Sequence, residues 1–199
     1  DSGLFLQSAN EQIDIRHNQI EANIGKGIDI EVVHGIPIVP TNVGRAGLIS
    51  ATIRDNVITA QRNGAEQGDG IELTGFEDVF APLDNAALNL LNVLAINNFI
   101  DSNEGRGVDL LNIGNGAMQI RFGDGTDQGR NTIVGNQLDG FRVVNTGALN
   151  QEGVQDGVPD AATQFLGVTQ ELATDDSLYS PDMMLDVSRN TIRDNGIGL

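Results

Sequence analysis

The sequence predicts an all-β solenoid, a parallel stack of about five coils with long loops on one side, and three observations predict it. Two short words alternate along the chain from residue 3 to residue 199. Each word places apolar residues at every second position, the period that a half-buried strand imposes. Successive copies differ chiefly by inserted length: the glycines that open one of the words are 24, 43, 37, 33 and 56 residues apart.

The first element of each cycle is Gly-hydrophobic-x-hydrophobic. It occurs as Gly3-Leu4-Phe5-Leu6, Gly27-Ile28-Asp29-Ile30, Gly70-Ile71-Glu72-Leu73, Gly107-Val108-Asp109-Leu110, Gly140-Phe141-Arg142-Val143 and Gly196-Ile197-Gly198-Leu199. The glycine is expected to supply the bend between strands. The second element is Asn-x-aliphatic-x-x-Asn, running from Asn18 to Asn23, Asn98 to Asn103, Asn131 to Asn136 and Asn190 to Asn195. A further copy from Asn56 to Asn63 reads as carrying two extra residues.

A unit of this size cannot bury an apolar face alone and must stack on its neighbour. Stacking at roughly 4.8 Å per coil places Ile20, Ile58, Ile100, Ile133 and Ile192 one above another as a continuous core. Asn18, Asn56, Asn98, Asn131 and Asn190 then form a structural ladder in which each carboxamide bonds to the next coil. On these residues the chain resembles the right-handed parallel β-helix family, the pectin-lyase-like fold, over nearly its whole length. The resemblance implies a right-handed solenoid.

Between the two words lie the insertions, about 31–51, 74–93, 111–127 and 144–185. Insertions at one point of a cycle map to one face of a solenoid, and recognition is expected there. Ala161, Phe165, Val168 and Leu172, with Pro159 ahead of them, have the spacing of one short amphipathic helix. In the insertion 74–93, Ala86, Leu90 and Val93 fit either a helix or a strand leading into the coil.

Composition narrows the chemistry. The 199 residues include 28 acidic and 11 basic side chains, for a formal net charge of −17, and Lys26 is the one lysine. Such a surface repels phosphate, so nucleic acid and anionic membranes are not expected partners, and no apolar run is long enough for direct membrane insertion. The absence of cysteine removes disulfides, thiolate metal sites and a cysteine nucleophile.

The middle residue of the glycine word points away from the core, so Asp29, Glu72 and Asp109 stack on neighbouring strands between Phe5 and Arg142. This reads first as a solvated acidic face with splayed side chains, closed at one end by Arg142. Read alternatively, Asp29, Glu72 and Asp109 are catalytic or metal-binding acids, because like charges on adjacent strands favour a bound cation or a raised pKa. Active sites of β-helix polysaccharide lyases and hydrolases place acids in a similar manner. The hydrolases' clustered aspartates and Gly-His-Gly segment are missing here, and His17 and His34 have no metal-ligand spacing. Asp124 and Asp127 in the segment Gly123–Gly129, and Asp156 and Asp160 in Glu152–Asp160, lie in glycine-rich loops that suit calcium, although neither loop fits an EF-hand.

The expected function is a non-catalytic structural or adhesive module, extracellular or on a cell surface, that binds glycan or calcium on its loop-bearing face. The alternative is a fragment of a carbohydrate-active enzyme: a polysaccharide lyase, epimerase or hydrolase. No cofactor is required, and calcium is the one the loops suggest. Expected partners are flanking β-helix coils of the same or another chain, and polysaccharide. Residue 3 opens a regular word and Leu199 completes one, without the atypical repeats that cap solenoids. The expectation is one domain over 1–199, an interior fragment of a longer chain.

Overall fold

The structure, a computed structural model, describes residues 3–8, 10–32, 48–63, 68–76, 90–113, 117–146 and 182–196. Among them are fifteen strands and no helix. Sheet A contains β1 (Leu4–Ser8), β4 (Ile28–Val32), β7 (Ile71–Phe76), β10 (Val108–Ile113) and β13 (Phe141–Thr146). Sheet B contains β2 (Asn10–Arg16), β5 (Leu48–Arg54), β8 (Leu90–Ile96), β11 (Ala117–Phe122) and β14 (Asp182–Val187). Sheet C contains β3 (Gln19–Glu21), β6 (Val57–Thr59), β9 (Phe99–Asp101), β12 (Thr132–Val134) and β15 (Thr191–Arg193). Each sheet takes every third strand in chain order, and its strands pair in parallel. The molecule is a parallel β-helix of about five coils, one strand per sheet in each coil.

The glycine word is the sheet A strand and the asparagine word is the sheet C strand. Ile20, Ile58, Ile100, Ile133 and Ile192 are in register, as expected. Sheet A adds two inward rows, Ile28–Ile71–Val108–Phe141 and Ile30–Leu73–Leu110–Val143, all buried. Sheet B is the strand that the two words miss. Its inward rows, such as Ile15–Ile53–Ala95–Phe122–Val187, alternate in burial but carry no glycine or asparagine marker. Small Ala95 beside large Phe122 lets that ring meet Phe141 edge-on, with centroids 5.0 Å apart.

The insertion boundaries therefore need correction. Residues 31–32, 74–76, 111–113 and 144–146 end sheet A strands, while 48–51, 90–93, 117–122 and 182–185 belong to sheet B strands. In the fourth coil the extra length is not between sheets A and B alone, because Gly123–Arg130 separates β11 from β12 at the corner between sheets B and C. Leu90 and Val93 belong to a strand rather than a helix. The helix expected around Ala161–Leu172 lies outside the described residues.

The sheet C strands are flanked by a recurring two-residue bend, absent only at the entrance to β12, where Gly123–Arg130 intervenes. A residue with left-handed backbone comes first, then a carboxamide residue. At the entrance these are His17, Asp55, Asn97 and Arg189, with φ between 53° and 57°, preceding Asn18, Asn56, Asn98 and Asn190. At the exit Ala22, Ala60, Ser102, Gly135 and Asp194, with φ between 54° and 66°, precede Asn23, Gln61, Asn103, Asn136 and Asn195. A left-handed non-glycine residue costs roughly 1–2 kcal/mol, and the carboxamide that follows offsets it by satisfying backbone groups at the bend.

Gln61 corrects the reading of the second copy. Its Oε1 accepts from the N–H (3.2 Å) and Nδ2 (2.9 Å) of Asn23, and its own N–H donates to Asn103 Oδ1 at 3.1 Å. There are no two extra residues in that word: a glutamine occupies the ladder, and exposed Asn63 lies beyond it.

The word glycines are needed for space rather than for a positive φ, since none of those described is among the positive-φ residues. A Cβ on Gly107 would come within 2.4 Å of Ile133 Cγ2 and 2.6 Å of the Gly140 carbonyl oxygen. The turn from sheet C into sheet A is so tight that no side chain fits at its inner edge.

Candidate functional site

Two kinds of polar column run along the helix axis. In the first, Asn18, Asn56, Asn98, Asn131 and Asn190 form the ladder expected from the sequence. Asn98 shows the pattern: its Oδ1 accepts from Asn56 N–H (3.1 Å) and Nδ2 (3.0 Å), while its Nδ2 donates to Asn131 Oδ1 (2.9 Å) and the Ile53 carbonyl (2.8 Å). All four bonding positions of the side chain are used. A parallel ladder joins Asn103 to Asn136 at 2.7 Å and Asn136 to Asn195 at 2.8 Å.

The second kind of column is charged and lies on sheet A. Phe5, Asp29, Glu72, Asp109 and Arg142 are in register on β1, β4, β7, β10 and β13, as the sequence predicts. The expected solvated, splayed face does not form. Asp29, Glu72 and Asp109 are buried, with exposures of 8%, 9% and 1%.

The reason is a second charged column that the sequence reading overlooked. The residues immediately before the four middle word glycines, Gly27, Gly70, Gly107 and Gly140, are Lys26, Asp69, Arg106 and Asp139. Their carbonyls accept in turn from the N–H groups of Gly3, Gly27, Gly70 and Gly107, which fixes them in line along the axis. The signal was in the sequence as an alternation of basic and acidic residues at one position of the repeat.

The two columns interlock. Lys26 Nζ lies 3.3 Å from Asp29 Oδ2 and 2.5 Å from Glu72 Oε1. Arg142 grips Asp109 through Nε at 2.8 Å and Nη2 at 2.9 Å, a bidentate pair. Arg106 spans Asp109 at 3.6 Å and Asp139 at 3.9 Å. Asp69 Oδ1 accepts the Arg106 backbone N–H at 2.5 Å, but its Oδ2 is buried without a hydrogen-bond partner.

Burial pushes the Asp69 carboxyl up to about 6; the Arg106 N–H opposes this, and the negative charges of Asp109 and Glu72 add to it. Burial likewise raises Glu72 against the pull of Lys26. For Lys26 burial acts downward, but Glu72 and Asp29 outweigh it and hold the ammonium above its ordinary value.

Asp29, Glu72 and Asp109 are thus brought into one column, but Asp29 turns to Lys26. The group of three whose oxygens converge, each within 4.8 Å of the others, is Asp69, Glu72 and Asp109. Among the described residues the loop aspartates do not join such a group. Asp124 Oδ1 accepts from Thr126 N–H at 2.8 Å and Oγ1 at 2.6 Å, and Asp127 pairs with Arg130 at 2.9 Å. Asp156, Asp160 and His34 lie outside the described residues. His17 is an exposed corner residue facing Asp55 at 3.5 Å.

The outer face of sheet B bears a shallow concavity of about 380 Å³ lined by Asn92, Leu94, Gln119, Arg121, Met184 and Asp186. Arg121 and Asp186 pair across it at 3.6 Å. Compared with family models, curated proteins and solved structures, the chain matches none of them. Its architecture rests on the strand pairing and burial described above.

Proposed function

We propose that this chain is a non-catalytic structural module, a β-helical segment of an extracellular or cell-surface protein of the right-handed, pectin-lyase-like kind. One observation carries the reading: the acids that an enzyme would use are buried and committed to ion pairs. A general acid, base or nucleophile must reach a bound sugar within hydrogen-bond distance. Asp109, 1% exposed and held by both Arg142 and Arg106, has no such reach. The carboxamide ladders and aliphatic rows instead suit a stiff rod that displays loops, and the same fold serves both purposes.

Flanking coils of the same or another chain are the natural neighbours of such a rod. A glycan would find adjacent carboxamides, Asn92 and Gln119, beside the apolar surfaces of Leu94 and Met184 in the concavity on sheet B. The test is a turnover assay on a broad panel of uronates and neutral polysaccharides, run beside a glycan-binding array. Binding without turnover is the expected result. Turnover that disappears in Asp109→Asn would sink the reading in favour of a carbohydrate-active enzyme.

A further inference from the structure

The charged columns contain five carboxylates, Asp29, Asp69, Glu72, Asp109 and Asp139, against the three cations Lys26, Arg106 and Arg142. With all eight groups ionised, the lattice carries two excess negative charges. The excess is concentrated where Asp69, Glu72 and Asp109 meet. Their facing oxygens are within 4.8 Å of one another, so a single point lies no farther than about 2.8 Å from all three, a span that admits the 2.3–2.6 Å calcium prefers.

A separate observation points to a ligand there. Asp69 is fully buried, its Oδ1 is taken by the Arg106 N–H, and its Oδ2 has no hydrogen-bond partner. Leaving a charged oxygen buried and unsatisfied is costly, and native interiors avoid it. Lys26 on Glu72, and Arg142 and Arg106 on Asp109, leave room for coordination, because an ionised carboxylate offers about four lone-pair sites.

The geometry points to a structural calcium site formed by Asp69, Glu72 and Asp109. It goes beyond the proposed function by adding an ion that ties the corner before β7, β7 itself and β10 together at one place. The site is distinct from the glycine-rich loops in which the sequence suggested calcium. Its donors come from two adjacent strands and the corner before one of them. Three protein carboxylates predict a modest affinity, on the order of the 10⁻⁴–10⁻³ M of extracellular calcium modules.

The experiment is thermal unfolding of the full chain at pH 7.5 after chelator treatment. Calcium chloride, magnesium chloride and sodium chloride are compared at equal ionic strength, for the wild type, Asp69→Asn and Asp124→Asn. A calcium-specific rise in Tm of several degrees is expected for the wild type and Asp124→Asn, with none for Asp69→Asn. The proposal is overturned by no rise in the wild type, by an equal rise with magnesium or sodium, or by a rise that persists in Asp69→Asn. Should Asp69→Asn fail to fold, Glu72→Gln takes its place: loss of the calcium shift supports the site, and retention overturns it.

Discussion

The carboxamide ladder at the corners of sheet C and the charged columns on sheet A run through the same coils, yet they solve the burial of polar groups in opposite ways. In the ladder each amide is both donor and acceptor, so identical residues satisfy one another at every step and the column can extend without limit. In the charged columns like groups repel, so the three stacked acids depend on the column of alternating sign beside them, and the match is incomplete at Asp69. The contrast teaches that the neutral column can be purely structural at every coil. A charged column acquires special positions, and those are where a ligand or a proton has something to act on.

The largest expected effect breaks the neutral column at its centre. Asn98→Ala strands Asn56 N–H, one Asn56 Nδ2 hydrogen and the Ile53 carbonyl in a buried corner. At roughly 1–3 kcal/mol for each unsatisfied group, a loss of about 4 kcal/mol is expected in denaturant unfolding. A loss below about 1 kcal/mol would show that water replaces the amide and that the ladder is dispensable.

Breaking the charged column from one side comes next. Arg142→Ala leaves buried Asp109 with Arg106 alone at 3.6 Å, and roughly 3 kcal/mol is expected to be lost. The pair Arg142→Met with Asp109→Leu should recover most of it, because replacing both charges removes the desolvation cost as well as the attraction. Failure of the double variant to recover would mean that the pair is not the main role of either residue.

The third test concerns Asp69 and pH. Its carboxyl titrates near 3.8 when unfolded and about 6 when folded, so between those values the folded state holds the extra proton. Its contribution is fully present below pH 3.8 and is lost as the pH rises through 6, by about 3 kcal/mol in total. Glu72, also raised by burial, acts in the same direction. In metal-free buffer, stability should fall from pH 4 to pH 7.5, and Asp69→Asn should flatten the decline while gaining stability at the upper end. An unchanged pH profile in that variant would remove Asp69 as its source.

The smallest effect compares the middle of the solenoid with its last described coil. Ile133 is fully buried, whereas Ile192, its partner in the same row, is 42% exposed. Truncation to alanine should cost about 3 kcal/mol at Ile133 and roughly 1 kcal/mol at Ile192. Equal losses would mean that Ile192 is covered in solution, for instance by another coil.

Much of the fold could be read in the sequence because a solenoid repeats its constraints. The isoleucine row of sheet C, the first asparagine ladder and the alignment of Asp29, Glu72 and Asp109 follow from periodicity alone, since stacking places equivalent residues in register. Sheet B escaped because its strands share only apolar alternation, which takes Ile, Ala, Val, Met and Phe interchangeably. Gln61 escaped because a longer amide was not recognised as an equivalent of asparagine. The candidate site was half legible: its strand residues were found, but Asp69, Arg106 and Asp139 sit just outside the repeated word.

By itself the sequence determined the all-β class, the number of coils and which residues share a column, because those depend only on order and spacing along the chain. Only the tertiary structure decided that the acidic column is buried rather than solvated, that Lys26 pairs with Asp29 and Glu72 while Arg142 takes Asp109, and that Asp69 replaces Asp29 in the converging trio. Burial and partner choice depend on side chains brought together from coils 33 to 46 residues apart, and desolvation at such a meeting point is a property of the assembled surface rather than of any local stretch.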